Sequence, residues 1–146
     1  MITWTDYFLK IALLVAQKSK DPSTQAGAVI TTPDNRIIAT GYNGLPRKVI
    51  DSKERLTNRA MKLSMVIHAE KNAIYTAGRD LTNHKIWITH SPCSQCAAAI
   101  VQTGIIAVSC IKPPDEFKKR WEEDIKLAQQ MFTESGVHYQ EYPIPL

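Results

Sequence analysis

Apolar residues recur at helical spacing in some stretches of this chain and in short β-like runs in others, and the two kinds alternate. From Thr5 to Lys18, the positions Phe8, Ile11, Ala12, Val15 and Ala16 fall on one helical stripe. Thr3 and Asp6 form a capping pair ahead of it, and Asp21-Pro22-Ser23 stops it. Two β-like runs follow, Ala26–Thr31 and Arg36–Thr40, joined by Pro33-Asp34-Asn35 as a hairpin tip. Gly41-Tyr42-Asn43-Gly44 reads as a backbone loop, and Pro46 to Lys62 as a charged insertion without a clean period. A helix from His68 to Ala77 ends at Gly78, and a strand spans Lys85–Thr89. A helix after Pro92 runs to Thr103, and Ile105–Ile111 forms the next strand. The stripe Phe117, Trp121, Ile125, Ala128 and Phe132 predicts one helix from Asp115 to Glu134, before a last strand, Val137–Tyr142. Helices between consecutive strands call for parallel neighbours, while the hairpin adds an antiparallel pair. The expected fold is α/β: one domain over residues 1–146, a three-layer α/β/α sandwich on a mixed, mostly parallel central sheet.

Composition narrows the class. The 146 residues, 44% hydrophobic and 22% charged, describe an ordinary globule able to bury a core. No run approaches the ~20 apolar residues of a membrane span, and the opening lacks a signal peptide's basic start. A cytoplasmic protein without a membrane partner is expected. The three cysteines form no even disulfide framework, and Cys110, in an apolar run, reads as a buried strand residue. A formal charge of +4 agrees with an anionic small substrate but decides little alone.

The chemistry concentrates in His68-Ala69-Glu70, followed 22 residues later by Pro92-Cys93-Ser94-Gln95-Cys96. One imidazole and two thiolates can fill three tetrahedral positions of zinc and leave the fourth to water. Glu70 is then free to stand beside that water as a proton carrier. In a regular helix His68 and Glu70 would point ~200° apart, so they converge only on something lying off the helix end. Cys93 and Cys96 open the next helix in the same way, where the dipole's positive end favours thiolates. Zinc would bring the water's pKa towards ~7, and Glu70 would take up the proton it gives off. A closed structural zinc site is the alternative, but it needs a fourth ligand from distant His84, His90 or His138. Those histidines read as surface or supporting groups, with His90 nearest the motif.

This H-x-E…P-C-x-x-C pattern resembles that of zinc-dependent nucleobase deaminases. Further blocks resemble the deoxycytidylate (dCMP) deaminases: Ser19-Lys20-Asp21-Pro22-Ser23-Thr24-Gln25, Gly27-Ala28-Val29-Ile30, Gly41-Tyr42-Asn43-Gly44-Leu45-Pro46 and His68 to Ile74, together with Pro92 to Ala97 and Gly104-Ile105. The resemblance implies a cytidine deaminase-like fold, one catalytic Zn2+ per subunit on His68, Cys93 and Cys96, and deamination of dCMP to dUMP for dTTP synthesis. It implies Asn43 on the sugar 3′-hydroxyl, the Ala69 N–H on cytosine O2 and the Ser91 carbonyl on the exocyclic amine. Lys20 and Ser23 would lie near the phosphate, and Arg79 beside a neighbouring subunit's site in a homohexamer. It further implies activation by dCTP and inhibition by dTTP, with Mg2+, at open backbone donors of Gly41, Asn43 and Gly44 and at the charges of Arg47 and Lys48. Two departures stand out. Lys112-Pro113-Pro114 occupies the place of a phosphate-binding tyrosine, and residues 46–67 hold no Cys or His for a second zinc.

Two other readings stay open at this point. One is a deaminase of another base, a cytidine nucleoside or tRNA adenosine, although a nucleic-acid enzyme should carry a broader basic footprint. The other is a catalytically inert nucleotide-binding zinc protein, which the intact Glu70 argues against.

Overall fold

The computed structural model describes the whole chain, Met1–Leu146. Helix α1 spans Trp4–Ala16, and the Asp6 N–H donates to Thr3 Oγ1 at 3.1 Å, the expected cap. Strands β1 (Gly27–Thr31) and β2 (Ile37–Tyr42) form the antiparallel hairpin. Strand β2 continues through Gly41 and Tyr42, so half of the expected loop is strand.

The charged insertion folds into two short helices, α2 (Lys53–Thr57) and α3 (Arg59–Met65), capped by Ser52 and Asn58. It is an excursion pinched at its base: Gly44 and Ile67 exchange both backbone hydrogen bonds, at 3.1 and 2.8 Å. Helix α4 (Ala69–Ala77) follows at once and ends at left-handed Gly78. Strand β3 (Lys85–Ile88), helix α5 (Ser94–Gln102) and strand β4 (Ala107–Ile111) come next.

The expected single helix from Asp115 to Glu134 is two, α6 (Asp115–Arg120) and α7 (Glu122–Ser135), broken at Trp121 with φ −110° and ψ 24°. Only the α7 half of the predicted stripe reaches the core, through Ala128 and Phe132. Phe117 and Trp121 instead pack on each other at the surface, with ring centroids 6.3 Å apart, within the usual ~4.5–7 Å of aromatic pairs. Strand β5 (His138–Tyr142) ends the order of elements.

The sheet order is β2-β1-β3-β4-β5. Strand β1 is antiparallel to both neighbours, while β3–β4 and β4–β5 are parallel. Four strands therefore share one direction and only β1 opposes them, which is the mixed, mostly parallel sheet expected. The connection through α4 links β2 to β3 across β1. That is why a helix between consecutive strands does not make these two strands neighbours.

Alternation along the strands sorts side chains between two layers. Val29, Trp87 and Ile111 meet Phe8, Leu9 and Ala12 of α1. Ala28, Ile30, Ile86, Ile88, Val108 and Cys110 meet α4, α5 and α7 on the opposite face. Helix α4 and helix α5 thus lie side by side, with their N-termini at the carboxyl ends of the strands. In open α/β sheets that is where ligands bind. No helix is long and apolar enough to cross a membrane.

Candidate active site

His68 is the N-cap residue of α4 and makes no side-chain cap bond, so its imidazole is free to lean off the helix end. Cys93 is the N-cap residue of α5, and Cys96 lies buried in the first turn. His68 Nδ1 stands 3.3 Å from Cys96 Sγ and 3.6 Å from Cys93 Sγ. All three donor atoms lie within 4.8 Å of one another, and no other His, Cys or carboxylate joins the group. Bonds of ~2.0–2.3 Å at tetrahedral angles would place such donors ~3.6 Å apart, so the set fits zinc. The lone histidines take no part in it. His84 is buried and donates Nδ1–H to the Thr82 carbonyl at 2.9 Å, a structural role away from the donor group.

Glu70, the second residue of α4, is only 6% exposed and stays outside the donor group. His68 precedes the first turn and Glu70 lies within it, which resolves their opposed helical directions. Burial raises the Glu70 pKa, and the neighbouring Cys93 charge adds to it against the opposing pull of its own backbone N–H and His68. A hydrogen bond from Cys96 lowers the Cys93 pKa to about 4 despite its burial, while that same bond and burial push Cys96 up.

The Ser19–Gln25 segment folds around Asp21. Its Oδ1 accepts from the Ser23 and Thr24 N–H groups at 2.8 and 3.2 Å and from Lys62 Nζ at 3.1 Å. Burial raises the Asp21 pKa, but these three donors outweigh it and hold the carboxyl below its usual value. Asn43 closes the same knot, with Oδ1 accepting from Ala26 N–H at 2.8 Å and Nδ2 donating to the Thr24 carbonyl at 2.9 Å. Lys20 is exposed and pairs with Asp51 at 3.0 Å. Ser23 Oγ lies 3.4 Å from Lys62 Nζ. Arg79 is exposed just beyond α4.

The glycine-containing stretch corrects one expectation. Asn43 and Gly44 are not open backbone donors, because their N–H groups go to the Ala26 and Ile67 carbonyls. Gly41 is strand, laid so closely on α4 that a Cβ there would meet Ala73 N at 2.3 Å. Arg47 and Lys48, both exposed and without an ion pair, keep the free charge expected of them.

Residues 2–112 match the family model described as the cytidine and deoxycytidylate deaminase zinc-binding region. The chain belongs to this family. It is 46% identical over 143 residues to a deaminase of Aliivibrio fischeri described as uncharacterized and lying in the luxG 3′ region, covering 98% of this chain and 96% of that one. It is 34% identical to the mouse deoxycytidylate deaminase, over 97% of this chain and 80% of the mouse enzyme. Among solved structures it resembles the dCMP deaminase of cyanophage S-TIM5 in complex with dCMP and dUMP, with TM-score 0.74, 26% identity and coverage of 94% and 95%.

This zinc-dependent deaminase carries further polar groups at the site that have no motif of their own. Lys62 reaches Asp21 from α3. Asp124 of α7 accepts from Ser94 N–H and Oγ at 3.0 and 2.6 Å. Tyr139 of β5 lies 3.2 Å from both Ser91 Oγ and Cys110 Sγ. Charge of the right sign at Lys62 was the only sequence signal for any of them.

Proposed function

We propose that this deaminase hydrolyses dCMP to dUMP and ammonia, with Glu70 as the proton shuttle. The observation that carries the reading is the buried Glu70 carboxylate, beside the three-donor group but not part of it. Zinc held by His68, Cys93 and Cys96 would supply a water acidic enough to react near neutral pH. Glu70 would accept the first proton of that water and deliver it to the ring nitrogen as the water oxygen bonds to the ring carbon. It would then take the remaining hydroxyl proton and pass it to the amino group, which leaves as ammonia as the carbon–nitrogen bond breaks and the carbonyl forms. A pKa raised by burial suits a carboxyl that must hold a proton at neutral pH.

Ala69 opens α4, so its N–H has no acceptor within the helix and is available to cytosine O2. The Ser91 carbonyl takes the exocyclic amine. Asn43 spends both amide protons inside its knot, leaving a lone pair of Oδ1 for the sugar 3′-hydroxyl. Lys20, Ser23 and Lys62 lie near the phosphate, with Lys62 partly neutralised by Asp21. The mouse relative is named for deoxycytidylate and the cyanophage structure holds dCMP and dUMP, which supports a nucleotide over a free base. The product dUMP would feed dTTP synthesis in the cytoplasm. A homohexamer with Arg79 at a neighbour's site, activated by dCTP and inhibited by dTTP with Mg2+ at Arg47 and Lys48, completes the reading.

The test is an ultraviolet assay with dCMP, CMP and deoxycytidine. Charge-assisted phosphate contacts should favour dCMP over deoxycytidine roughly 10²-fold in kcat/KM. Equal turnover of deoxycytidine would remove the phosphate site, and no turnover of any cytosine substrate would remove the reading. Flat activity through millimolar dCTP and dTTP would remove the regulation alone.

A further inference from the structure

The turn that delivers Cys93 is gripped from both sides by residues beyond 112, outside the segment the family model matches. Thr89 is still tied to Gly27 of β1, its N–H donating to the Gly27 carbonyl and its Oγ1 accepting from the Gly27 N–H, both at 3.0 Å. From His90 to the start of α5 at Ser94, however, the chain has no ladder or helix to fix it. Pro92 has no N–H to contribute. On one side, Asp124 of α7 takes both donors of Ser94, the backbone N–H at 3.0 Å and Oγ at 2.6 Å. It acts as a cap supplied by another helix, satisfying an N–H that α5 leaves without a partner.

On the other side stands a relay on β5. Lys118 Nζ donates to Glu141 Oε1 at 2.7 Å, and Tyr139 Oη lies 2.9 Å from Glu141 Oε2. A phenol has one proton, and the carboxylate is its strongest acceptor here. The Tyr139 oxygen is then left to accept from the Ser91 hydroxyl, 3.2 Å away. Register explains why these groups meet: Cys110 pairs with Glu141 and Val108 with Tyr139, so both β5 side chains face α5 and α7. The Tyr139 ring is itself fixed by stacking on Phe132 of α7, with centroids 5.5 Å apart and planes at 14°.

We propose that this C-terminal segment sets the position of the Ser91–Ser94 turn, with Tyr139 and Asp124 as positioning residues for Cys93. The proposal rests on the zinc reading above. Groups that orient a metal ligand change metal retention about 10–100-fold when lost, with no contact to the metal themselves. Asp124→Asn keeps size but loses the acceptor for one of the two Ser94 donors. Tyr139→Phe keeps the ring on Phe132 and removes only the hydroxyl.

The experiment follows zinc release from the loaded, folded enzyme to a chromogenic chelator. Both single variants should release zinc about tenfold faster than wild type. Because each acts through one partner, Tyr139→Phe with Ser91→Ala, and Asp124→Asn with Ser94→Ala, should be no faster than the faster single variant of each pair. A merely structural role would lower the melting temperature and leave release from the folded protein unchanged. Should Tyr139→Phe fail to fold, Ser91→Ala removes the same bond from its other end. Wild-type protein that takes up no stoichiometric zinc overturns both the zinc reading and this one. Wild type that holds zinc, with variants releasing it within twofold of the same rate, overturns the grip alone.

Discussion

Gly41→Ala is a one-carbon change in a strand, yet it should damage both the fold and the site. The added Cβ would stand 2.3 Å from Ala73 N, 2.5 Å from the Ala69 carbonyl oxygen and 2.9 Å from Ala73 Cα. All three are backbone atoms of α4, so no side chain can swing aside. Relief requires β2 and α4 to part by roughly 1 Å, to reach ordinary contact near 3.5 Å. Overpacking costs about 1–3 kcal/mol, and backbone clashes belong at the top of that range. The lower entropy of the unfolded alanine chain offsets about 0.4–1 kcal/mol. The net loss of about 2 kcal/mol converts to a melting temperature about 4–8 °C lower in a domain this size. Helix α4 also carries Ala69 and Glu70, and a displacement near 1 Å can cost ~10²-fold in turnover. Gly44→Ala is the control within the same motif, since nothing lies within 4 Å of its added Cβ. Its melting temperature should be unchanged or slightly raised. Calorimetry of both zinc-loaded variants, with the dCMP assay alongside, decides the matter. A Gly41→Ala protein that melts and turns over like wild type, or a Gly44→Ala protein that falls equally far, would refute the packing argument.

Other outcomes follow from the site. Glu70→Ala should retain stoichiometric zinc by elemental analysis and lose about 10²–10⁴-fold in kcat, since in the proposed mechanism the carboxylate moves protons and binds no metal; near-normal turnover would end that assignment. Cys93→Ala should lose zinc and melt at lower temperature, since metal binding and folding are coupled. Asp21 has a folded pKa below its ordinary value of 3.8, so its contribution to stability is complete above that value and lost as pH falls through the lower, folded one. Asp21→Asn should therefore flatten the fall in stability below about pH 4 in acid-unfolding curves; an unchanged acid limb would show that the knot does not depend on this charge.

What could be read from the chain was local. The Thr3–Asp6 cap, the hairpin turn and the stop at Gly78 are each signalled within a few residues, and each forms as expected. The metal-ligand set was legible for a related reason. His68 and Glu70, two apart, can converge only beyond a helix end, and Cys93 and Cys96, three apart after Pro92, share one side of a first helical turn. The break at Trp121 was not legible. Apolar spacing runs straight through it, and no Gly or Pro marks it.

The support of the site escaped the sequence because its bonds span long separations. Asp21 and Lys62 are 41 residues apart, Ser94 and Asp124 are 30 apart, and Ser91 and Tyr139 are 48 apart. Nothing near Asp124 distinguishes it from Glu122 and Glu123, its neighbours in an acidic first turn. Only the packing of α7 on α5 selects it, by aiming one of three acidic side chains at the Ser94 donors. Tyr139 is chosen by β5 register: a slip of one residue would send its side chain to the α1 face and bring Gln140 to the network instead. The ligands are thus specified by local spacing, whereas the groups that hold them are specified by sheet register and helix packing. A variant that shifts β5 register without touching Cys93 should then disturb the metal centre as surely as one beside it.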